Sequence, residues 1–274
     1  MRAFGNKALV LGLALAVLLF LYAPLITMAV FSFNDSNYTG LPFNGFTLEW
    51  YAKVFANQQV IDSLWASVFV AAGVVVLSVT LGLPAAIALD RYDFPGKAWF
   101  RRVVMLPIVL PGVITGVALL SFYVTVGFQL SLYTIMLGQG TALICITATE
   151  VFARLQQVGR SQSEAAINLG ASEFEVFRKV TLPNVKTALY GAMLIAFSIS
   201  FDEIAVTYLL TGRQNTLPMT LWSLLRREAT PEVNAIATLV VVLSVVLIVL
   251  GIIISRTKNA LGQGAAADTG EAAL

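Results

Sequence analysis

Six apolar segments, each long enough to cross a membrane as a helix, dominate this sequence. They lie near residues 8–33, 61–89, 101–126, 131–153, 187–211 and 232–255. A helix needs about 20 apolar residues to cross the hydrocarbon layer of a bilayer, and lipid-exposed backbone must form its hydrogen bonds internally. Hydrophobic residues make up 58% of the 274 residues and charged residues only 12%. We therefore predict an all-α, polytopic membrane protein with six transmembrane helices.

The basic residues predict how these six spans are oriented. An even number of spans places both termini on one side, and 13 of the 17 Lys and Arg residues fall on that side. The opposite side has Lys53, Arg213, Arg226 and Arg227. Because Lys and Arg accumulate in cytoplasmic loops, we expect both termini and the loops near residues 90–100 and 154–186 to face the cytoplasm.

The same topology divides the chain into a long membrane domain and a short tail. We predict a transmembrane domain over residues 1–258, with its longest cytoplasmic loop at residues 156–186. The first apolar segment is too long for a signal-peptide core, so it is expected to be retained as a span. Residues 259–274 are rich in Gly, Ala and acidic side chains and are expected to be disordered. Short helices are expected in the external segments 34–60 and 218–228.

Several kinds of chemistry are excluded by missing residue types. The chain has no histidine, and Cys145 is its single cysteine, which rules out His-based catalysis and Cys- or His-based metal clusters. Its one Gly-Lys pair, at Gly96, is followed by Ala98 and does not fit the GxxxxGK[ST] phosphate-binding loop. We therefore expect no enzymatic activity of its own and no bound cofactor, and we find no constellation typical of an intramembrane enzyme.

The long cytoplasmic loop, SQSEAAINLGASEFEVFRKVTLPNV, has the pattern of helix, turn, helix and stop. Ser161 or Ser163 can begin a short helix, and Gly170 supplies the positive φ that ends it. Ser172 and Glu175 have the spacing of a capping box that begins a second helix. In that second helix Phe174, Phe177 and Val180 share one face, and Pro183 is expected to end it.

This loop resembles the signature loop of the permease subunits of ATP-binding-cassette (ABC) importers. The shared order is EAA, three residues, Gly, nine residues, an apolar residue, one residue and LeuPro, and residues 164–183 follow it throughout. The resemblance implies that Glu164, Ala165, Ala166 and Gly170, in a motif completed by Leu182 and Pro183, dock on an ATPase subunit. An ordinary surface helical hairpin is the alternative explanation of this loop.

Further expectations follow from the same resemblance, which extends over nearly the whole chain. It implies the type I ABC importer permease fold and a place in the bacterial inner membrane. It also implies ATPase subunits that use ATP and Mg, an extracytoplasmic solute-binding protein, and a second permease chain, expected to be different but homologous. No nucleic acid partner is expected.

Two adjacent carboxylates, Asp202 and Glu203, lie inside the fifth apolar segment. An ionised residue at mid-span costs about 2.5 to 3.5 kcal/mol on insertion scales, so such residues usually mark a functional site. On a continuous helix from Thr187, Asp202 would lie about 22 Å from the start. Asp202 would then share a face with Ser198, and Glu203 would share one with Ser200 and Thr207.

The surrounding aromatic residues favour an organic cation as the transported solute. Phe201, Tyr208, Trp50 and Trp222 could add cation–π contacts to the charge of the acidic pair. The segment FDEIAVTYLLTG, with the sequence after it, resembles the spermidine/putrescine subgroup of these permeases. Permeases for ferric iron, thiamine, sulfate or aminoethylphosphonate share most of this scaffold and are the alternatives.

Two other roles of the acidic pair are open at this stage. The pair could form a structural lock or gate with Arg213 or with a neighbouring chain. It could also carry ions or protons in an ATP-independent secondary transporter or channel. The signature loop at residues 164–183 and the lack of inverted repeats both argue against this alternative.

Small residues and prolines mark the third apolar segment. Gly112 and Gly116 form a GxxxG motif, which is typical of close helix packing within a chain or between chains. Pro107 and Pro111 are expected to bend the span.

Overall fold

The computed structural model describes residues 2–227 and 230–246. The described residues are helical apart from turns and one isolated antiparallel bridge between Asn34 and Phe46. The α-helices are α1 (Arg2–Phe31), α2 (Glu49–Ala56), α3 (Gln58–Arg91), α4 (Lys97–Met105), α5 (Gly112–Val126), α6 (Leu132–Val158), α7 (Ser161–Asn168), α8 (Glu173–Val176), α9 (Leu182–Phe201), α10 (Ala205–Leu210), α11 (Leu217–Arg227) and α12 (Pro231–Val246). The predicted disordered tail at 259–274 lies outside the described residues.

Four helices are long and apolar enough to cross a membrane. They are Leu9–Phe31, Gln58–Arg91, Leu132–Val158 and Glu173–Phe201, and they match the predicted first, second, fourth and fifth spans. The sixth span begins at Pro231, where the Val233 N–H donates to the Thr230 carbonyl at 3.1 Å. Residues 247–255 of this span lie outside the described part of the chain. The chain is therefore a helical, polytopic membrane protein, as predicted.

The third apolar segment is not one helix, because two prolines divide it. Helix α4 ends at Met105, a 3-10 turn covers Leu106–Ile108, and α5 begins after Pro111. A proline has no N–H to donate and its ring collides with the preceding turn. The bend expected from Pro107 and Pro111 is present in this structure as a full break.

Pro183 does not end the second helix of the loop at residues 156–186, so that prediction was wrong. The helix runs on without interruption from Glu173 to Phe201. Residues Phe177–Thr181 form a π-helical turn, in which the Leu182 N–H donates to the Phe177 carbonyl five residues earlier. The wider turn lies immediately before Pro183, where the regular hydrogen-bond ladder would be interrupted in any case.

The described residues group into two compact units, of which one covers Gln58–Trp222. In this unit α3, α6 and α9 pack against one another. At Gly82 of α3 the backbone of α6 is so close that a Cβ would lie 2.9 Å from the Ile144 carbonyl oxygen. The Ser78 hydroxyl on α3 donates to the Leu143 carbonyl on α6 at 2.9 Å. Small residues and interhelical hydrogen bonds hold membrane helices together because burial from lipid supplies no hydrophobic driving force.

The GxxxG motif packs α5 against α10 within this chain. A Cβ at Gly116 would lie 2.7 Å from Leu209 Cδ1, and one at Gly112 would lie 3.5 Å from the Ala205 Cβ. This is the first of the two predicted roles.

The other unit joins Met1–Asn57 to Ser223–Leu274. After α1, Asn34 organises the loop: its side chain accepts from the Asn44 N–H at 2.9 Å and donates to the Gly40 carbonyl at 3.2 Å. The predicted short helix is α2, and the Thr47 hydroxyl accepts from the Glu49 N–H at 3.1 Å. The Asn57 side chain donates to Glu232 of α12 at 3.0 Å.

Candidate functional site

Helix α7 and the turn after it contain the signature residues Glu164, Ala165, Ala166 and Gly170. Gly170 has a φ of +87°, its N–H donates to the Ile167 carbonyl, and the Ala171 N–H donates to the Ala166 carbonyl. These two hydrogen bonds form a Schellman motif, which requires the left-handed conformation that glycine adopts without strain. The sequence prediction for this turn is therefore confirmed.

The second helix of the loop begins as predicted. The Ser172 hydroxyl accepts from the Glu175 N–H, and the Glu175 carboxylate accepts from the Ser172 N–H at 3.1 Å. A capping box of this kind satisfies donors that are otherwise unpaired at a helix start. The turn between the two helices is thus defined on both sides by hydrogen bonds.

The loop presents an exposed apolar surface. Leu169 is 89% exposed, and Ile167 and Phe174 are exposed as well. Glu164 and Ala165 are exposed, Ala166 and Leu182 are half-buried, and Pro183 is exposed. The buried residues of this stretch are Val176 and Thr181, which do not belong to the predicted shared face of Phe174, Phe177 and Val180. The π-turn changes the angular spacing, which moves the buried face away from the regular helical positions.

The inner side of α7 is held by residues that the sequence analysis did not single out. The Arg91 Nη2 at the end of α3 donates to the Ser163 hydroxyl on α7 at 3.2 Å and also to the Thr181 hydroxyl in the π-turn. On α9, the Asn184 side chain donates to Gln162 at 2.8 Å. A basic residue at the end of an apolar segment gave only the orientation signal, so its hydrogen bonds could not be anticipated.

The acidic pair lies at a break between two helices and not inside one. Helix α9 ends at Phe201 and α10 begins at Ala205, so the prediction of a continuous span over 187–211 was wrong. The shared helical faces predicted for Asp202 and Glu203 are therefore wrong as well. Asp202 is exposed and Glu203 is half-buried. In the described part of the chain neither carboxylate forms a salt bridge with Arg213.

Glu203 stabilises the start of α10. Its Oε1 accepts from the Val206 N–H at 2.9 Å, and its carbonyl accepts from the Thr207 hydroxyl at 2.8 Å. A carboxylate near a helix start is favourable because the first N–H groups there are unpaired. Asp202 instead follows the end of α9, where a negative charge is unfavourable.

A buried polar network connects this break to α6. The Ser200 hydroxyl donates to the Gln139 side-chain oxygen at 2.5 Å, and the Gln139 amide donates to the Thr207 hydroxyl at 2.7 Å. All three side chains are buried. The network therefore fixes the position of the break relative to α6. Gln139 lies in an otherwise apolar segment, which was a signal that the sequence analysis missed.

A cavity of about 240 Å³ lies beside the break. Glu203, Gln139 and Ser200 line it together with residues of the broken third span, including Pro107 and Gly112. The break thus has a polar wall and an apolar wall. A second, larger cavity of about 720 Å³ lies near the start of α6 at Leu132 and is lined by Asp62, Trp65 and Arg213 among others.

The predicted aromatic residues have different surroundings. Phe201 stacks on Phe197 with ring centroids 5.9 Å apart, and Tyr208 and Trp222 are exposed. Trp50 belongs to the unit that contains the N-terminus and is 7% exposed. Its indole N–H donates to the Asn34 carbonyl at 2.9 Å, and Lys53 lies 4.3 Å from its ring centroid. Trp50 therefore packs against the loop between α1 and α2.

The chain resembles solved transporter structures over most of its length. A bacterial ABC transporter involved in the import of the acidic polysaccharide alginate matches 93% of this chain and 96% of its own, with a TM-score of 0.67 and 18% sequence identity. The alginate transporter in complex with a pentasaccharide-bound periplasmic protein matches 91% of this chain and 93% of its own, with a TM-score of 0.69 and 15% identity. Identities this low show the fold, which is that of a type I ABC importer permease.

Curated relatives are closer in sequence. The spermidine/putrescine transport system permease protein PotC of Haemophilus influenzae is 35% identical over 241 residues, 88% of this chain and 93% of the relative. The putrescine transport system permease protein PotI of Escherichia coli is 32% identical over 229 residues, 81% of each chain. A family model for the binding-protein-dependent transport system inner membrane component matches residues 78–264. The chain therefore belongs to the family of inner membrane permease components of binding-protein-dependent transport systems.

Proposed function

We propose that this permease imports polyamines such as spermidine or putrescine. The observation that carries the proposal is the 35% identity with PotC across 88% of the chain. The exposed carboxylate of Asp202 supports it, because an organic ammonium group pairs favourably with a carboxylate. The unfavourable position of Asp202 at the end of α9 also favours a cationic partner.

The energy for transport comes from a separate ATPase that docks on α7. Ala165, Ala166 and Gly170 leave little side-chain bulk on this helix and its turn, and the exposed Leu169 supplies apolar surface for a partner. ATP and Mg are bound by the partner subunit. We expect ATP to be bound by the partner and not by this chain, since its sequence has no phosphate-binding loop.

Two further proteins complete the transport system. A second permease chain, different but homologous, forms the other half of the pore. An extracytoplasmic binding protein delivers the solute. The alginate transporter supports this by analogy, because it has the same fold and its structure contains a solute-bound periplasmic protein. Both termini face the cytoplasm, which agrees with the concentration of basic residues on that side.

Within the pore, Asp202 is the carboxylate that contacts the solute, and Glu203 shapes the break. Tyr208 and Trp222 are exposed aromatic residues in the same compact unit and can add contacts to a cation. Phe201 supports the end of α9 through its stacking on Phe197. Trp50 contributes a structural contact, because its side chain holds the loop between α1 and α2.

The test is reconstitution of the whole complex in proteoliposomes with ATP on the ATPase side. We expect the binding protein loaded with spermidine or putrescine to stimulate ATP hydrolysis and uptake, and Asp202→Asn to reduce uptake by about tenfold, the value of a lost charge-assisted hydrogen bond. Glu203→Gln keeps a side-chain oxygen for the Val206 N–H and is expected to reduce uptake less.

Two results would overturn parts of the proposal. Stimulation by thiamine, ferric iron, sulfate or aminoethylphosphonate, with none by polyamines, would reject the substrate class. Unchanged uptake in Asp202→Asn, together with weakened assembly with the second permease, would instead assign the acidic pair to a structural lock between the two chains.

A further inference from the structure

The guanidinium group of Arg91 connects α7 to the π-turn that precedes α9. Arg91 is the last residue of α3, and its Nη2 donates both to the Ser163 hydroxyl on α7, at 3.2 Å, and to the buried Thr181 hydroxyl. Thr181 in turn donates to the Val176 carbonyl five residues earlier, at 3.3 Å. Three elements that are distant in sequence therefore meet at one nitrogen atom.

Neighbouring contacts tie the same end of α7 to the bundle. The Asp90 carbonyl accepts from the Arg160 guanidinium, which immediately precedes α7. The buried Asp90 carboxylate accepts from Gln156 near the end of α6 at 2.5 Å. The Arg160 contact and the bond between Gln162 and Asn184 anchor the beginning of α7 to α3 and α9, and the bond between Gln156 and Asp90 holds α6 to α3. The other end of α7, at Leu169 and Gly170, is exposed.

This arrangement divides α7 into an anchored end and an exposed end. A partner that presses on the exposed end displaces a short helix whose other end is bonded to α3 and α9. Motion is transmitted through packed side chains and hydrogen bonds that hold the moving parts together, and Arg91 makes one hydrogen bond that reaches the π-turn. The π-turn lacks the regular hydrogen-bond ladder of an α-helix, so it is a place where the spans can shift.

We propose that Arg91 is a positioning residue that couples ATP hydrolysis to transport. It transmits movement of α7 to α3 and to the π-turn that immediately precedes α9. The inference rests on the proposed docking of an ATPase on α7. Arg91 contacts neither solute nor nucleotide in this scheme. Its role depends on bonding two hydroxyl groups at once, which makes those hydroxyls the sharpest places to test it.

The experiment uses the complete reconstituted complex and measures solute moved per ATP hydrolysed, beside the amount of ATPase that co-purifies with the permease. We expect Arg91→Gln to lower transport per ATP by about tenfold, as expected for loss of a charged hydrogen bond. Thr181→Val, which keeps the shape but removes the hydroxyl, should lower it in the same direction. Thr181→Ser restores the hydroxyl and should keep the wild-type ratio.

Arg102→Gln is the matched control, because Arg102 is an exposed arginine of α4 on the side predicted to be cytoplasmic. It should keep the wild-type ratio of transport to ATP hydrolysis. If Arg91→Gln does not assemble, the comparison of Thr181→Val with Thr181→Ser decides the question. Wild-type transport per ATP in both Arg91→Gln and Thr181→Val would overturn the inference. Failure of the wild-type complex to bind an ATPase would instead overturn the proposed function.

Discussion

At the scale of single residues, neighbours in sequence have different duties. Asp202 and Glu203 are adjacent, yet Glu203 caps α10 through the Val206 N–H while Asp202 is exposed after the end of α9. The difference follows from the break between the helices, since a helix start offers unpaired N–H groups and a helix end offers unpaired carbonyls. A charge in a membrane segment thus has to be interpreted from its local backbone.

Gly170 gives the first residue-scale prediction. The space around it is open, because no atom lies within 4 Å of a Cβ built there, but its φ of +87° disfavours other residues. Gly170→Val should therefore cost about 1 to 2 kcal/mol in the turn and reduce co-purification of the ATPase. Gly170→Asn is the control, since Asn tolerates this conformation. Equal ATPase binding by both variants would show that the turn conformation is not needed for docking.

Gln139 gives the second residue-scale prediction. Its side chain bonds Ser200 and Thr207 in a buried site, so Gln139→Met leaves both hydroxyls without these bonds. Hydrogen bonds between membrane helices contribute about 0.6 kcal/mol each on average, and we expect a loss of about 1 kcal/mol for the pair. Thermal unfolding in detergent measures this loss. Leu137→Met on the exposed face of α6 should leave the unfolding temperature unchanged.

At the scale of helices, two kinds of irregularity define the bundle. Prolines divide the third span, and the π-turn lets Pro183 lie inside a continuous helix that joins the docking loop to α9. Because this helix is continuous, the second helix of the loop and the fifth span form one element, while α7 is a separate one. Helices α3 and α6 pack closely together, and α9 packs against both of them.

A substitution at Gly82 tests the close packing of α3 against α6. A side chain at this position would meet the backbone carbonyl of Ile144 and the Cβ of Thr147, neither of which can move easily. Gly82→Val should lower the free energy of unfolding by about 1 to 3 kcal/mol, the usual cost of overpacking. Gly191→Ala in α9 is the matched control, because a Cβ there meets nothing within 4 Å. Equal stability of the two variants would contradict tight packing between α3 and α6.

At the scale of the whole molecule, the distribution of basic residues predicts the orientation, and labelling of single cysteines can check it. Cys145 is buried and can be replaced by Ala to remove background reaction. We expect a membrane-impermeant maleimide to label Tyr38→Cys in intact cells and Ser161→Cys only after the membrane is opened. Both native side chains are exposed in the structure. The reverse pattern would place the docking loop outside the cell and reject its contact with an ATPase.

Much of this protein could be predicted from the order of its residues. Segment length and apolar composition determined the helical membrane fold, because lipid leaves the backbone few alternatives. The turn after α7 was equally predictable, since Gly170 and the pair Ser172 and Glu175 act through contacts within a few residues. Local hydrogen bonds of this kind depend on sequence spacing alone.

Only the tertiary structure decided the features that depend on distant parts of the chain. The break at Asp202 is held by Gln139 on another helix, and the π-turn before Pro183 is held by Arg91 at the end of α3. A periodic pattern describes a regular helix and contains no information about which neighbour satisfies a freed backbone or side-chain group. Those partners are chosen by packing, so the surroundings of Asp202, Glu203 and Arg91 emerged only when the helices were assembled.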